Sequence, residues 1–277
     1  MANNYFAGID IGSSTSKVVI IDSYGNIRNS LVKKTGIDMV AIASEIFSQI
    51  KNESNIIDIS YTISTGYGRK IIDFSDGNVT EITCTARGAY QLYNSIAPFS
   101  VVDIGGQDNK IILVRQDGTI ETFKMNRKCS AGTGAFLEEI AWKLDLQVDK
   151  MNELAQKEIT GIVDKQNLEK PLNSFCSVFA STEILEKIRQ GEPLEKMLIS
   201  SYHSIVRRLF DMAIINKSIP IVMSGGVIQY HPIIQKILEI GYKFTVHIPS
   251  KPQIIPAYGA ALIAKEKFEN SKVIITT

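Results

Sequence analysis

Residues 8 to 27, GIDIGSSTSKVVIIDSYGNI, have the pattern of a strand, a small polar turn and a second strand. Residues 101 to 120, VVDIGGQDNKIILVRQDGTI, repeat this pattern in nearly the same register. Four residue types recur at an offset of 93 positions: Asp10 with Asp103, Gly12 with Gly105, Lys17 with Lys110 and Gly25 with Gly118. The chain therefore contains one hairpin twice, and we expect each copy to open its own α/β unit.

The composition indicates a globular protein without a nucleic-acid or membrane partner. The 277 residues are 44% hydrophobic with a net charge of +1, and no basic or acidic block is longer than a few residues. No apolar run approaches the roughly 18 residues of a transmembrane helix. The start of the chain, MANNYFAGID, lacks the features of a secretory signal. Three cysteines in such a chain favour a reducing compartment over a disulfide scaffold. We therefore expect a soluble, cytoplasmic protein.

Hydrophobic spacing predicts two lobes that face each other across a cleft. The first lobe is predicted to span 1–97 plus a C-terminal helix at about 257–277, and the second lobe to span 98–256. Besides the two hairpins, strands are predicted at 27–32, 57–64, 219–226 and 243–249. Helices are predicted at 39–50, 86–95, 136–144, 194–215, 232–240 and 256–268. The polar, aperiodic segment KEITGIVDKQNLEKPLN, residues 157–173, is predicted to be an exposed connection.

Each hairpin turn combines residues that suit a phosphate group. A glycine-rich turn can direct backbone N–H groups and hydroxyls at a phosphate, and a lysine adds positive charge. The candidates in the first turn are Gly12, Ser13, Ser14, Thr15, Ser16 and Lys17, and those in the second are Gly105, Gly106 and Gln107. Asp10 and Asp103 begin the turns and could hold a hydrated Mg²⁺. The alternative, that each turn is an ordinary hairpin with a glycine for tight geometry, is weakened by the shared Asp, Gly and Lys spacing.

The paired DIG loops, with SGGV at 224–227, resemble the phosphate and adenosine loops of the acetate-kinase, sugar-kinase, Hsp70 and actin superfamily. The resemblance implies an α/β fold of two ribonuclease-H-like lobes, the actin-like ATPase fold, that bind ATP and Mg²⁺ between them. It implies that Gly225, Gly226 and Val227, together with Gln253, contact the nucleotide. Gln107 either positions the attacking water, as glutamine does in other phosphate-hydrolysing sites, or only binds a phosphate.

Two cysteine motifs identify a narrower family. KCSAGTG at 128–134 contains Cys129, and CSVFASTE at 176–183 begins with Cys176. With TGYGR, EITCTARGA and PAYGAALIA, they resemble the activator ATPases of 2-hydroxyacyl-CoA dehydratases and benzoyl-CoA-type reductases over almost the full length. The sequence departs from that family at Ala135, where arginine is more common, and in the residues around Cys176. Cys84, in EITCTARGA, is predicted to be a small buried residue.

The resemblance implies that Cys129 and Cys176 of each subunit of a homodimer bind one shared [4Fe–4S] cluster, since such a cluster needs four thiolates. Gly132 and Thr133 are placed among the cofactor-binding residues by the same resemblance. The implied activity is the ATP-driven delivery of one low-potential electron, accepted from ferredoxin or flavodoxin, to an iron–sulfur dehydratase or reductase of anaerobic metabolism that acts on acyl-CoA-type substrates.

Two alternatives stay open at this point. The chain could be a small-molecule kinase of the same superfamily whose cysteines are incidental, or an ATP-sensing module that docks another protein. The histidines His203, His231 and His247 have no ligand spacing, and we predict that none of them binds metal or takes part in catalysis.

Overall fold

The computed structural model describes residues 4–126, 132–162, 166–172 and 177–275, with side chains left aside at 177–178 and 273–275. The strands are, in chain order, β1 (Phe6–Ile11), β2 (Thr15–Ile21), β3 (Ile27–Lys34), β4 (Tyr61–Gly66), β5 (Gly77–Asn78), β6 (Phe99–Ile104), β7 (Asn109–Val114), β8 (Ile120–Asn126), β9 (Ile221–Ser224) and β10 (Val246–His247). The α-helices are α1 (Met39–Glu53), α2 (Glu81–Tyr93), α3 (Gly134–Lys143), α4 (Val148–Ile159), α5 (Ser177–Arg189), α6 (Leu194–Met212), α7 (Gly226–Tyr230), α8 (Ile233–Tyr242) and α9 (Ile255–Ile275).

The chain divides into two compact units. The first unit comprises Met1–Ala97, Val114–Glu121 and Ile254–Thr277, and the second comprises Pro98–Leu113 and Thr122–Gln253. The turn between β7 and β8 is thus grouped with the first unit. Along the described part of the chain, no helix is both long and apolar enough to cross a membrane.

The first unit is a five-stranded sheet with helices on both faces. The strand order is β3-β2-β1-β4-β5, with β1 antiparallel to β2 and parallel to β4. Every residue of β1 is buried. Phe6 packs on the face that α9 covers, whereas Ile9 and Ile11 pack with residues of α1 on the other face. This arrangement follows from the alternation of side chains along a strand.

Helices α2 and α9 cross closely because small residues line the crossing. A methyl group at Gly259 would overlap the carbonyl oxygen of Cys84, and one at Gly88 would overlap the carbonyl oxygen of Ile255. A methyl group at Gly8 of β1 would likewise overlap the backbone of α9. The glycines of TARGA and AYGAA therefore let the last helix lie directly against both the sheet and α2.

The second unit repeats the order of the first sheet. Its strands lie in the order β10-β9-β6-β7-β8, which matches the first sheet when β6 is superposed on β1 and β9 on β4. The strand β6 is parallel to β9, and β9 is parallel to β10. The core of this unit joins β6 and β9 to α3, α4, α6 and α8.

Several predicted elements differ from the structure: the strand predicted at 243–249 is only β10, the helix predicted at 194–215 ends at Met212, and three further differences follow. The strand predicted at 57–64 is β4, which begins at Tyr61, and Ile57 is 83% exposed. The helix predicted at 86–95 is α2, which begins at Glu81 because the Thr80 side chain accepts a hydrogen bond from the Thr83 N–H. The prediction of an exposed connection at 157–173 is wrong in part: its first residues end α4, and Ile162, Leu168 and Leu172 are buried.

Candidate functional site

The two predicted phosphate loops close with the same backbone hydrogen bond. In the first loop, the Gly12 N–H donates to the Thr15 carbonyl at 3.1 Å. In the second loop, the Gly105 N–H donates to the Asp108 carbonyl at 2.9 Å. A methyl group at either glycine would lie under 3 Å from an oxygen atom of its partner residue. The sequence repeat is therefore also a repeat of loop geometry.

The turn at the far end of each hairpin is repeated as well. The Gly25 N–H donates to the Asp22 carbonyl, and the Gly118 N–H donates to the Arg115 carbonyl, both at 3.0 Å. The φ angles of the two glycines are +86° and +83°, in the region that residues with a Cβ rarely adopt. The glycine of each YGN or DGT turn is thus required by the backbone.

Each loop contains a buried aspartate paired with a lysine directly across the hairpin. Lys17 Nζ lies 2.9 Å from Asp10 Oδ2, and Lys110 Nζ lies 3.0 Å from Asp103 Oδ2. Lys110 Nζ also lies 2.9 Å from Asp108 Oδ1. The aspartates are 1% and 2% exposed, so each needs a counter-charge in the protein. The ammonium groups that the sequence assigned to phosphate therefore also neutralise the aspartates.

One oxygen of Asp10 is buried without a partner. Asp10 Oδ1, among the described residues, accepts no hydrogen bond. A methyl group at Gly66 would overlap this oxygen, so only a glycine can lie beside it. Buried acceptors in native proteins almost always have a partner. An unpaired carboxylate oxygen suits a hydrated Mg²⁺, which uses one or two carboxylates and keeps several waters.

The hydroxyl residues of the first loop do not all face the same way. Ser13 and Ser14 are exposed, whereas Ser16 is buried and its Oγ lies 2.9 Å from Thr35 Oγ1. Thr35 Oγ1 in turn donates to the Gly12 carbonyl at 2.7 Å. The role of Ser16 in nucleotide binding stays a prediction, since its hydroxyl already holds the loop to the residue after β3.

A second pair of equivalent glycines was missed from the sequence. Gly66 ends β4 with φ of +86°, and Gly225 follows β9 with φ of +103°. A methyl group at Gly66 would lie 2.6 Å from the Ile11 carbonyl oxygen, and one at Gly225 would overlap the Ile104 carbonyl oxygen. Ile11 and Ile104 occupy the same position in the two hairpins, so the two glycines are also equivalent.

The residues before these glycines lie beside the aspartates. Thr65 is the register partner of Asp10, and Ser224 is the register partner of Asp103. Each aspartate thus has a hydroxyl residue on the neighbouring parallel strand. The sequence signal is the pair [S/T]-G in TGYG and SGGV, and it is short enough to occur by chance.

The predicted adenosine residues of the second unit lie together. The Gly225 N–H donates to the Pro252 carbonyl at 3.1 Å, and Val227 is buried. A methyl group at Gly226 would lie 3.2 Å from Gln253 Nε2. Gly226 begins α7, so its missing side chain leaves the start of that helix open beside Gln253.

The second loop is joined directly to the segment that follows Cys129. The Gly134 N–H donates to the Gly105 carbonyl at 3.0 Å, and the Ala135 N–H donates to the Gly106 carbonyl at 2.9 Å. Asn109 Nδ2 donates to the carbonyl of Gly132 at 2.9 Å. Thr133, the N-cap residue of α3, is fully buried in this region. Gln107 is exposed at the loop tip.

Cys129 and Cys176, the predicted cluster ligands, lie outside the described residues. The helices that follow them are described: α3 begins at Gly134 and α5 at Ser177, and Ser181 Oγ donates to Glu139 Oε1 of α3 at 2.6 Å. Within the described ranges, no group of three or more His, Cys, Asp or Glu side chains could hold a metal ion.

Cys84 is a buried structural residue, as predicted. Its side chain is 0% exposed, and burial raises the pKa of the thiol to about 12. Because a thiolate is the form that binds metals and attacks electrophiles, this cysteine is inert at neutral pH.

The described contacts of His203 and His231 are structural hydrogen bonds. His231 Nδ1 lies 2.8 Å from the Tyr202 hydroxyl oxygen, and burial lowers the pKa of this histidine to about 4. His203 lies between the Glu169 carbonyl and the Tyr242 hydroxyl, at 2.6 and 2.8 Å.

Comparison with known proteins decides the family, because residues 7–264 match the BadF/BadG/BcrA/BcrD ATPase family. The chain belongs to this family. It is 35% identical to the activator of lactoyl-CoA dehydratase from Anaerotignum propionicum, over 95% of this chain and 98% of that protein. The family resemblance drawn from the cysteine motifs and DIG loops is therefore confirmed.

Solved structures of this family confirm the fold. Component A of the (R)-2-hydroxyglutaryl-CoA dehydratase of Acidaminococcus fermentans is 30% identical, with a TM-score of 0.85 over 96% of this chain and 99% of that chain. The activator of the 2-hydroxyisocaproyl-CoA dehydratase from Clostridium difficile, with bound ADPNP, is 29% identical, with a TM-score of 0.81 over 97% of each chain. More distant structures at 11% to 15% identity include actin-like proteins and confirm the predicted α/β, actin-like fold.

Proposed function

We propose that this protein is an ATP-dependent activator that delivers one low-potential electron to a partner dehydratase or reductase acting on acyl-CoA-type substrates. Its relatives are named as activators of such dehydratases, and a further relative is a benzoyl-CoA reductase subunit. One observation of this chain carries the proposal. The second phosphate loop is hydrogen-bonded to the first turn of α3, the helix that follows a proposed cluster ligand. Nucleotide chemistry and electron transfer would thus share one connected segment.

The loops would bind Mg-ATP with complementary groups. The N–H groups and hydroxyls of Ser13, Ser14 and Thr15 would contact phosphate from the first loop, and the N–H group of Gly106 would do so from the second loop. Gly12 and Gly105, whose N–H groups close the two loops, would let the phosphates approach the backbone. Asp10 and Asp103 would hold water molecules of the hydrated Mg²⁺, and the lack of a described partner for Asp10 Oδ1 supports this role.

The remaining site residues complete this proposal. Gln107, exposed at the loop tip, would orient the attacking water. Gly225 and Gly226 would allow the adenosine to approach the backbone, with Val227 and Gln253 beside it. The ammonium groups of Lys17 and Lys110 would neutralise the two aspartates, so that these carboxylates do not repel the phosphates of the nucleotide.

Cys129 and Cys176 of two subunits would bind one [4Fe–4S] cluster, which supplies a one-electron carrier when bound. The proposal therefore includes a homodimer. It also includes a ferredoxin or flavodoxin as the electron donor. The helices α3 and α5 begin shortly after the two cysteines, and helix N-termini favour an anionic group.

The test of the nucleotide site is the ATPase activity of Asp10→Asn and Asp103→Asn. Each variant should lose roughly 100-fold or more in kcat, the loss typical for removal of one electrostatic catalytic group. Asp117→Asn is the matched control, because Asp117 lies in the exposed turn of the second hairpin and bonds only within that turn in the contacts described. Unchanged activity in both loop variants would contradict the proposed site. Transfer of the γ-phosphate to a small acceptor, instead of release as inorganic phosphate, would indicate a kinase.

A further inference from the structure

Two buried side chains at corresponding positions fasten the two loops to different segments. Ser16 and Asn109 stand at the repeat offset of 93, each just before the lysine of its loop. Ser16 Oγ lies 2.9 Å from Thr35 Oγ1, and Asn109 Nδ2 donates to the Gly132 carbonyl at 2.9 Å. Thr35 directly follows β3, and Gly132 follows β8 after a short segment. In each unit, the loop is therefore hydrogen-bonded to the segment that follows the third strand of that unit, β3 or β8.

The segment held in each unit leads to a different place. From Thr35 the chain continues into α1, which is capped by the Asp38 side chain. From Gly132 the chain enters α3, and Gly132 stands three residues after Cys129 in the sequence. The Asn109 bond therefore joins the second loop to α3, the helix that follows a proposed cluster ligand. The Ser16 bond joins the first loop to a segment that leads into α1.

The start of α3 is bound closely to the second loop. Besides the Asn109 bond, the N–H groups of Gly134 and Ala135 donate to the two loop glycines. A methyl group at Gly134 would lie only 3.2 Å from Gly106 Cα, so the start of α3 lies close against the backbone of the loop. A displacement of the loop on nucleotide binding would therefore displace the first turn of α3.

Asn109 is an unusual choice for a purely structural position. The residue is 0% exposed, and its Oδ1 has no hydrogen-bond partner among the described residues. A buried amide whose acceptor lacks a partner lowers the stability of the folded state. Serine, the residue at the corresponding position of the first loop, is smaller and has fewer hydrogen-bonding atoms that need a partner. Because asparagine is longer than serine, the Asn109 amide can reach the Gly132 carbonyl.

We propose that Asn109 is a positioning residue that transmits the nucleotide state of the second loop to α3. This inference rests on the proposed function, because it assumes that the second loop binds nucleotide. The inference assigns the coupling between the nucleotide and α3 to Asn109. In the proposed function, the Asn109 side chain contacts neither the nucleotide nor the cluster ligands. Couplings of this kind typically change an equilibrium by about 5- to 150-fold.

The chain contains its own reporter for this movement. Trp142 is the single tryptophan of the sequence, lies on α3 and is 72% exposed. Its emission can be followed in iron-free protein while Mg-ADPNP is added, with nucleotide affinity measured separately by calorimetry. We expect Mg-ADPNP to change the emission of the wild type. Asn109→Ser should bind Mg-ADPNP with an affinity within about threefold of wild type and show a smaller emission change, because only the backbone bonds of Gly134 and Ala135 would then join the loop to α3.

Three further variants make the result specific. Trp142→Phe should show no signal. Asp117→Asn changes the exposed turn at the far end of the second hairpin and should keep the wild-type response, because that turn does not lead to α3. Asn109→Leu keeps the approximate shape of the side chain without the amide donor and adds no charge, and it replaces Asn109→Ser if the latter fails to fold.

The outcomes separate this inference from the proposed function. A full emission change in folded Asn109 variants at saturating Mg-ADPNP would overturn the inference and leave the proposed function standing. A wild-type protein that binds Mg-ADPNP without any change of Trp142 emission would overturn it too. A wild-type protein that does not bind Mg-ADPNP would contradict the proposed function itself and, with it, the inference.

Discussion

The buried charge pair of the second loop gives a stability prediction whose size follows from the structure. Lys110 is 1% exposed, and its Nζ lies 3.0 Å from Asp103 Oδ2 and 2.9 Å from Asp108 Oδ1. Lys110→Met keeps the aliphatic stem and removes the charge. Asp103, which is 2% exposed, is then left without its counter-charge. Removing one partner of a buried ion pair typically costs about 3–5 kcal/mol.

The first loop provides a matched comparison. Lys17 pairs with Asp10 alone in the ion pairs described, and its side chain is 12% exposed, so water can partly replace it. We expect Lys17→Met to cost less than Lys110→Met, because water can reach the place of the Lys17 ammonium group and partly replace its charge beside Asp10. Combining Lys110→Met with Asp103→Asn removes both charges and should recover at least half of the loss, because a neutral pair has no buried charge to compensate.

Urea unfolding measures these differences. With a slope of about 2–3 kcal/mol per molar urea, Lys110→Met should lower the midpoint by roughly 1–2.5 M. Circular dichroism follows both units, and Trp142 fluorescence follows the second unit, to which Lys110 belongs. A loss below about 1 kcal/mol for Lys110→Met, or equal losses for the two lysine variants, would refute the reasoning that burial makes the second pair the more important.

Two further predictions concern pH and backbone geometry. His231 has a folded-state pKa of about 4 against an ordinary value of 6.5, so its contribution to stability is lost as pH falls below about 6.5. Between pH 7 and pH 5 the wild type should lose about 2 kcal/mol through this residue, whereas His231→Gln should not; an unchanged pH slope of urea stability in His231→Gln would contradict the assignment. Gly225→Ala should cost more than about 3 kcal/mol and impair Mg-ADPNP binding, because the backbone has φ of +103° and the methyl group would overlap the Ile104 carbonyl. Gly191→Ala, with φ of +73° but open space around it, should cost only about 1–2 kcal/mol and leave nucleotide affinity intact, and equal effects of the two variants in melting and binding assays would count against the site.

The sequence predicts most of the fold because the hairpin repeat keeps chemically essential residues at one offset. Asp10 and Asp103, with their glycines and lysines, are required by the same loop geometry and therefore remain recognisable. The equivalence of Gly66 and Gly225 is hidden, because it stands at another offset and rests on two letters. The sequence also could not show that the ammonium groups of Lys17 and Lys110 lie on carboxylates, since a lysine near a glycine turn suits either anion.

Other features were hidden because the repeat has diverged in residue type. Ser16 and Asn109 occupy one position but hold different segments, and this difference appears only when their contacts are known. The start of α2 depends on the Thr80 cap, a local contact that hydrophobic spacing does not report. In segment 157–173, single apolar residues such as Ile162 and Leu168 are buried without any period, so no periodic pattern could predict them.

Iron analysis combined with mass measurement under anaerobic conditions tests the central claim most directly. The proposed activator has two cysteine ligands in each chain, so purified protein should be a dimer with about four iron atoms per dimer. Cys129→Ser and Cys176→Ser should each abolish the iron content, whereas Cys84→Ser should retain it, because Cys84 is buried with a thiol pKa of about 12. A stable wild-type monomer that stays free of iron after anaerobic reconstitution and still hydrolyses ATP would contradict the account.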